Sequence, residues 1–179
     1  MHIEPGLVSG AKLLLSYATA TGALAFTARS ALQFGRDTGL APLALRSAAT
    51  TALVFSFFQL LPHAPVGISE VHLILGSTLF LVFGAAPAAI GLALGLLLQG
   101  LFFEPQDLPQ YGMNVTTLLV PLFALQVLAA RVLPKGRAYV DLDYAHVAKL
   151  SLAYQGGIVA WVAFWAIWGQ GFGAATLAQ

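Results

Sequence analysis

The sequence predicts an all-α polytopic membrane protein, a single bundle of six transmembrane helices, and three observations carry that reading. Of the 179 residues, 59% are hydrophobic and only 8% charged, against about 25% charged in a soluble domain; the mean hydropathy is +0.84. The apolar residues gather into six segments, most of them near the roughly 20 residues that a membrane crossing needs. No strand-like alternation is sustained along them, which argues against a transmembrane barrel.

The first segment runs from about Leu7 to Ala28, with Lys12 near its start placed to snorkel. The second runs from about Pro42 to Leu61 and is closed by Pro62. Val71 to Phe103 is too long for one crossing, and Gly84-Ala85-Ala86-Pro87 supplies a break. That leaves a short third segment, Val71 to Phe83, and a fourth, Pro87 to Phe103. The fifth runs from about Asn114 to Val132, with Pro121 as an expected kink, and the sixth from about His146 to Trp168. Together they make one domain over residues 1–179. Residues 1–6 carry no basic n-region, so no cleavable signal peptide is expected. A bulky His2 disfavours removal of Met1, so the expected α-amine is Met1's own.

The polar connections predict the topology. Arg29, Arg36 and Arg46 lie between segments one and two, and Arg131, Lys135, Arg137 and Lys149 between five and six. The connection between segments two and three carries only Glu70, and that between four and five only Glu104 and Asp107. The positive-inside rule puts the two basic connections in the cytoplasm. The N-terminus and the acidic connections then face the other side of the cell (inner) membrane, and Met1-His2 and His72 share that face. The net charge of +1 offers nothing to nucleic acid. The absence of cysteine excludes disulfides and thiolate metal sites.

Met1-His2 has the makings of a chelate. The α-amine, the His2 amide and the His2 imidazole can close a five- and a six-membered ring around one ion. An imidazole from His72, at the start of segment three, would complete a square plane of nitrogens. Such a set suits Ni(II) or Cu(II), with Co(II) also accommodated; Zn(II) prefers a tetrahedron. Binding would release protons from the amine and the amide, so affinity should fall in acid. The alternative for His72 is an interfacial histidine bonded to headgroups or water. His63, between Pro62 and Ala64-Pro65, is an exposed loop residue or a transit ligand, and Glu4 and Glu70 are solvated charges or groups that orient an imidazole. His146 belongs to the cytoplasmic end and stands apart from the other three histidines.

The opening Met1-His2-Ile3-Glu4-Pro5-Gly6 resembles that of the CbiM/NikM family, the substrate-capture (S) components of energy-coupling-factor (ECF) ABC transporters for cobalt and nickel. The stretch from Gly67 to Gly76, with Ser69, Glu70, His72 and Leu73, is similar to that family's histidine–leucine–glycine segment. Leu98 to Phe103 and Tyr111-Gly112-Met113-Asn114 are similar to its glutamine-containing span and Gly-x-Asn turn. The resemblance covers most of the chain, in order. It implies metal ligation by Met1, His2 and His72, with the N-terminal loop folded into the bundle and Ser69 and Asn114 supporting it by hydrogen bonds. It implies Co2+ or Ni2+ as transported cargo, destined for cobalamin biosynthesis or nickel enzymes, and no catalytic cofactor. Family members have about seven spans, so a last C-terminal helix is expected to be missing or two segments merged.

The resemblance also implies partners: a membrane scaffold (T) subunit, cytoplasmic ATPase subunits and a small accessory membrane subunit. The chain itself has no Walker A motif and is not expected to be an enzyme. Ala44, Ala48 and Ala52, at four-residue spacing, form a small-residue ridge suited to close helix contact in lipid. Gly91 and Gly95 form another, better suited to packing within the bundle. Arg46 is expected to snorkel or to meet a partner. Two other readings stand beside this one: a stand-alone membrane channel or scaffold, and an intramembrane hydrolase built on Ser69. The hydrolase lacks both Gly-x-Ser-x-Gly and His-Glu-x-x-His.

Overall fold

The structure is a computed structural model that describes residues 2–3, 6–61, 64–66, 69–71, 74–133 and 142–173. For residues 2, 64–66 and 69–71 it describes the backbone only. Six α-helices are present among these residues: α1 (Leu13–Thr38), α2 (Leu40–Gln59), α3 (Gly76–Phe83), α4 (Ala85–Phe102), α5 (Tyr111–Val132) and α6 (Tyr144–Gln170). Short 3-10 turns at Gly10–Lys12 and Pro105–Gln110 lead into α1 and α5. Among the described residues, four stretches are long and apolar enough to cross a membrane: α2, α4, α6 and Pro105–Val132. At 26 residues α1 is long enough, but it carries many Ser, Thr and Gly residues and two arginines. With 8 residues, α3 rises only about 12 Å.

Three short strands add a feature the helical reading did not contain. β1 (His2–Ile3), β2 (Ala64–Val66) and β3 (Ser69–Val71) form an antiparallel sheet in the order β1-β3-β2. Val71, read from the sequence as the start of a span, is therefore a strand residue. The first helix is likewise displaced. It begins at Leu13 rather than Leu7, because Leu7 and Val8 are buried in a separate cluster with Ile3, Met113, Trp165 and Ala166. It also continues past Arg29 and Arg36 to Thr38, so those arginines extend from the last turns of a helix instead of sitting in a loop. Gly112-Met113-Asn114 belongs to the first turn of α5, not to a separate turn.

The tightest helix pair is α2 with α4. Oγ1 of Thr50 donates to the carbonyl of Pro87 at 2.7 Å. A Cβ at Gly91 would strike Thr50, and one at Gly95 would lie 2.6 Å from Val54 Cγ1. Glycine at both places is what lets the backbones meet; close packing, not hydrophobic transfer, drives helix association in lipid. The matching steps of four make the helices parallel and place Phe58 level with Gln99. Single glycines turn the chain before α2 and α4: Gly39 at φ 106° and Gly84 at φ 94°, both extended in ψ, a region that only glycine occupies readily.

The bundle thus has two distinct ends. One, the sheet end, gathers the N-terminal segment, the sheet, the last turns of α2, α4 and α6 and the start of α5. The other holds the α1–α2 and α3–α4 turns, Arg131 and the start of α6.

Candidate metal centre

Two backbone pairings build the sheet end. β1 runs antiparallel to β3, with His2 opposite Glu70 and Ile3 opposite Ser69. β3 pairs in turn with β2, Glu70 opposite Pro65. A strand two residues long is not stable by itself, and β1 is held by burial. Ile3 is completely buried, and its N–H donates to Oδ1 of Asn114 on α5 at 2.8 Å. A buried amide without a partner would cost about 1–3 kcal/mol, so Asn114 fixes where the N-terminus crosses the bundle. Farther along, Leu7 and Val8 pack on Trp165 and Met113. The Leu7 carbonyl lies so close to Gly169 that any Cβ there would collide with it. Lys12 closes this end by donating from Nζ to the Gly169 carbonyl at 3.0 Å, and Trp168 Nε1 donates to the Lys12 carbonyl at 3.3 Å.

The chain on the far side of His72 is pinned as well. Gln155 on α6 donates from Nε2 to the carbonyl of Ile74 at 2.9 Å. The ring of Tyr154, fully buried, occupies the space that a side chain at Gly76 would need. Tyr154, Gln155, Ile3 and Gly169 are position-setting residues that sequence reasoning passed over. The one available signal was Gln155, a carboxamide inside an apolar segment.

Of the predicted ligands, Met1, His63 and His72 lie outside the described residues, as does Glu4. His2 and Ser69 are placed by their backbones in the paired strands β1 and β3, and β3 ends one residue before His72. Among the described residues, no group of three or more His, Asp or Glu side chains is arranged to hold a metal ion. His146 is distant from this end. It sits in the first turn of α6, about 35 Å along the helix from Gly169, with Nδ1 2.6 Å from Asp143 Oδ1. Its backbone N–H donates to the same carboxylate at 2.8 Å. Those two hydrogen bonds, the backbone one foremost, hold the Asp143 carboxyl below its ordinary pKa.

The two small-residue ridges separate cleanly. Gly91 and Gly95 are buried against α2. Ala44, Ala48 and Ala52 stay exposed and line an apolar groove of about 510 Å³ with Thr51, Phe55 and Leu98. Arg46 turns back on the bundle: Nη1 approaches the Phe83 carbonyl at 3.4 Å, and the guanidinium lies 5.6 Å from the Phe34 ring centre.

No curated protein and no solved structure matches the chain. The model of one family, CbiM, described as the cobalt uptake substrate-specific transmembrane region, matches residues 2–178. With its apolar helices and a buried N-terminal strand at one end of the bundle, the chain belongs to the CbiM family, a membrane component that gives cobalt uptake its substrate specificity.

Proposed function

We propose that this protein captures Co2+ or Ni2+ at the sheet end of the bundle for ATP-driven uptake. The ligands are the Met1 α-amine, the amide and imidazole nitrogens of His2, and the imidazole of His72. The observation that carries the reading is the β1–β3 pairing. His2 lies opposite Glu70, which places their Cα atoms about 5 Å apart. His72 follows two residues later, and two residues span at most about 7 Å. Both histidines are thus within reach of one ion. Asn114 supports the arrangement by holding Ile3, the residue after the chelating dipeptide, and Ser69 does so from the paired strand. His63 serves as a transit ligand on the way in. This end faces away from the cytoplasm, since the arginines of α1, α2 and α5 gather at the other.

Nothing in the bundle itself supplies energy. The exposed Ala44, Ala48 and Ala52 ridge is the docking face for a membrane scaffold subunit coupled to cytoplasmic ATPases. A flat small-residue surface lets a partner helix approach closely, and α2 is the spanning helix least covered by its own bundle, with 11% of its apolar window buried.

The decisive experiment adds three glycines before Met1 in a C-terminally tagged protein, so that no new terminal amine falls in chelating register with His2, and measures Co2+ and Ni2+ binding by calorimetry. The extension converts the amine to an amide and removes one ligand. Loss of binding by at least about a hundredfold is expected, the effect of deleting a metal-ligand bond worth roughly 3 kcal/mol or more. Binding as tight as that of the unextended protein would refute the assignment.

A further inference from the structure

The end of the bundle away from the sheet carries a cavity of about 380 Å³ between α1, α5 and the start of α4, within the size range of sites that hold small molecules. Aromatic contacts fix its walls. Phe26 on α1 meets Phe123 on α5, with ring centres 4.5 Å apart and planes at 64°. Phe34, two turns farther along α1, lies between the Arg46 guanidinium and the turn at Gly84, where a Cβ would sit 3.6 Å from its ring. Ala85 and Ala86 open α4 with side chains too short to fill the space between.

The polar groups around this space keep unused bonding capacity. Arg29 and Asp37 both line it, yet the opposite charges do not pair. They stand eight residues apart on α1, about 12 Å of rise, and neither has an ion-pair partner among the described residues. Gln33 donates from Nε2 to Oδ2 of Asp37 at 2.9 Å and leaves Oδ1 open. Gln126 on α5 lines the same space, and its carboxamide makes no hydrogen bond among the described residues.

The depths of these groups follow from the helix directions. α1 and α5 both start at the sheet end and run the same way. Arg29 and Gln126 each lie three residues past the Phe26–Phe123 contact, so they are level. Asp37 lies two turns beyond, nearer the water. The pocket therefore presents its donors deeper in the membrane and its carboxylate nearer the surface. A phospholipid with a primary-amine headgroup has the complementary order: acyl chains, then phosphate, then ammonium. An anionic headgroup without an amine would set negative charge toward Asp37 with nothing to offset it.

We infer that this pocket seats the headgroup of a phosphatidylethanolamine-type lipid. Arg29 and the Gln126 amide donate to its phosphate, and Asp37 accepts from its ammonium. The stem of Arg29 is long enough to bring the guanidinium out to headgroup level, where its fork suits phosphate oxygens. The acyl chains pass the exposed ring of Phe26. A lipid held in this way fastens α1 to α5 in one leaflet. The inference requires only that the bundle spans a membrane; it is independent of the metal ligands assigned above.

Native mass spectrometry of the purified full chain, titrated with dioleoyl phosphatidylethanolamine, phosphatidylcholine or phosphatidylglycerol, tests this. One phosphatidylethanolamine should bind about fivefold or more tightly than either of the others, the effect of a charge-assisted hydrogen bond in a partly exposed site. Phosphatidylcholine has a phosphate and a positive charge but no ammonium proton to donate. Arg29→Gln should weaken that first lipid by a similar factor, and Arg29→Lys should restore most of it. Asp37→Asn should abolish the preference for phosphatidylethanolamine and let phosphatidylglycerol bind as well or better. Both positions are exposed, and an unchanged melting temperature in detergent without added lipid checks that the variants fold. Equal retention of the three lipids by the parent, absence of any tightly held lipid, or a phosphatidylethanolamine preference that survives Asp37→Asn would each overturn the inference.

Discussion

The two ends of the bundle are built from different materials. At the sheet end, position is set by backbone pairing and neutral groups: β1 against β3, the Ile3 amide on Asn114, the Ile74 carbonyl on Gln155. At the other end it is set by charge and solvent-facing side chains: Arg46 folded over Phe34, Asp143 capping α6, arginines on the last turns of α1 and α5. Buried neutral bonds hold a geometry rigidly because breaking one strands a polar group. Exposed charge pairs contribute little and tolerate change. The sheet end, where β1 enters, is built in the first of these ways.

Breaking the sheet end should therefore abolish function with little effect elsewhere. Asn114→Leu removes the acceptor of a buried amide and should cost about 2–3 kcal/mol in seating β1. Cobalt affinity should fall by between ten- and a hundredfold, with the Ile3 amide losing protection from hydrogen exchange. Unchanged affinity with a freely exchanging Ile3 would show that the strand's position does not matter for binding. Gly169→Ala should act in the same direction more weakly. Its methyl meets the Leu7 carbonyl, and relieving such overpacking costs about 1–2 kcal/mol; the fluorescence of Trp165, which packs in that cluster, should report the shift. A fully native spectrum with parent affinity would mean that the N-terminal segment can move aside at no cost.

The opposite end supplies the contrast. Asp143→Ala should loosen the first turn of α6 and leave metal affinity untouched. Because the folded pKa of Asp143 is depressed, its contribution is complete above the ordinary carboxylate range and disappears as pH falls through the folded value. Hydrogen exchange at the His146 amide should thus differ between variant and parent at neutral pH and converge in acid. A change in cobalt affinity from this substitution would dissolve the distinction between the ends.

Much of this architecture is legible in the sequence, and the failures have physical causes. The segments from Pro42, Pro87 and His146 fall within about two residues of α2, α4 and α6, because long apolar runs bounded by glycine or charge leave few alternatives. Leu7 and Val8 read as the start of a span since burial under a strap and burial in a membrane select the same side chains. Arg29 and Arg36 read as loop because charge suggests water, but a long flexible side chain reaches water from a helix end. Strands of two or three residues carry no period to detect. Asn114 was noticed only through family resemblance; nothing local marks an acceptor whose donor is 111 positions away. The pocket that joins Arg29, Asp37 and Gln126 could not be read at all, since it is defined by how α1 and α5 pack.

The brevity of α3 has a further consequence. Its rise of about 12 Å covers less than half of a hydrocarbon layer roughly 30 Å thick. Gly76, where it starts, is level with Tyr154, near the middle of α6. Ile74 and Leu75, which lead into α3, therefore lie within the bilayer's depth outside any helix, and non-helical backbone there is tolerated only when walled in by protein or facing water; Gln155, which donates to the Ile74 carbonyl, and the buried ring of Tyr154 make that wall out of α6 itself.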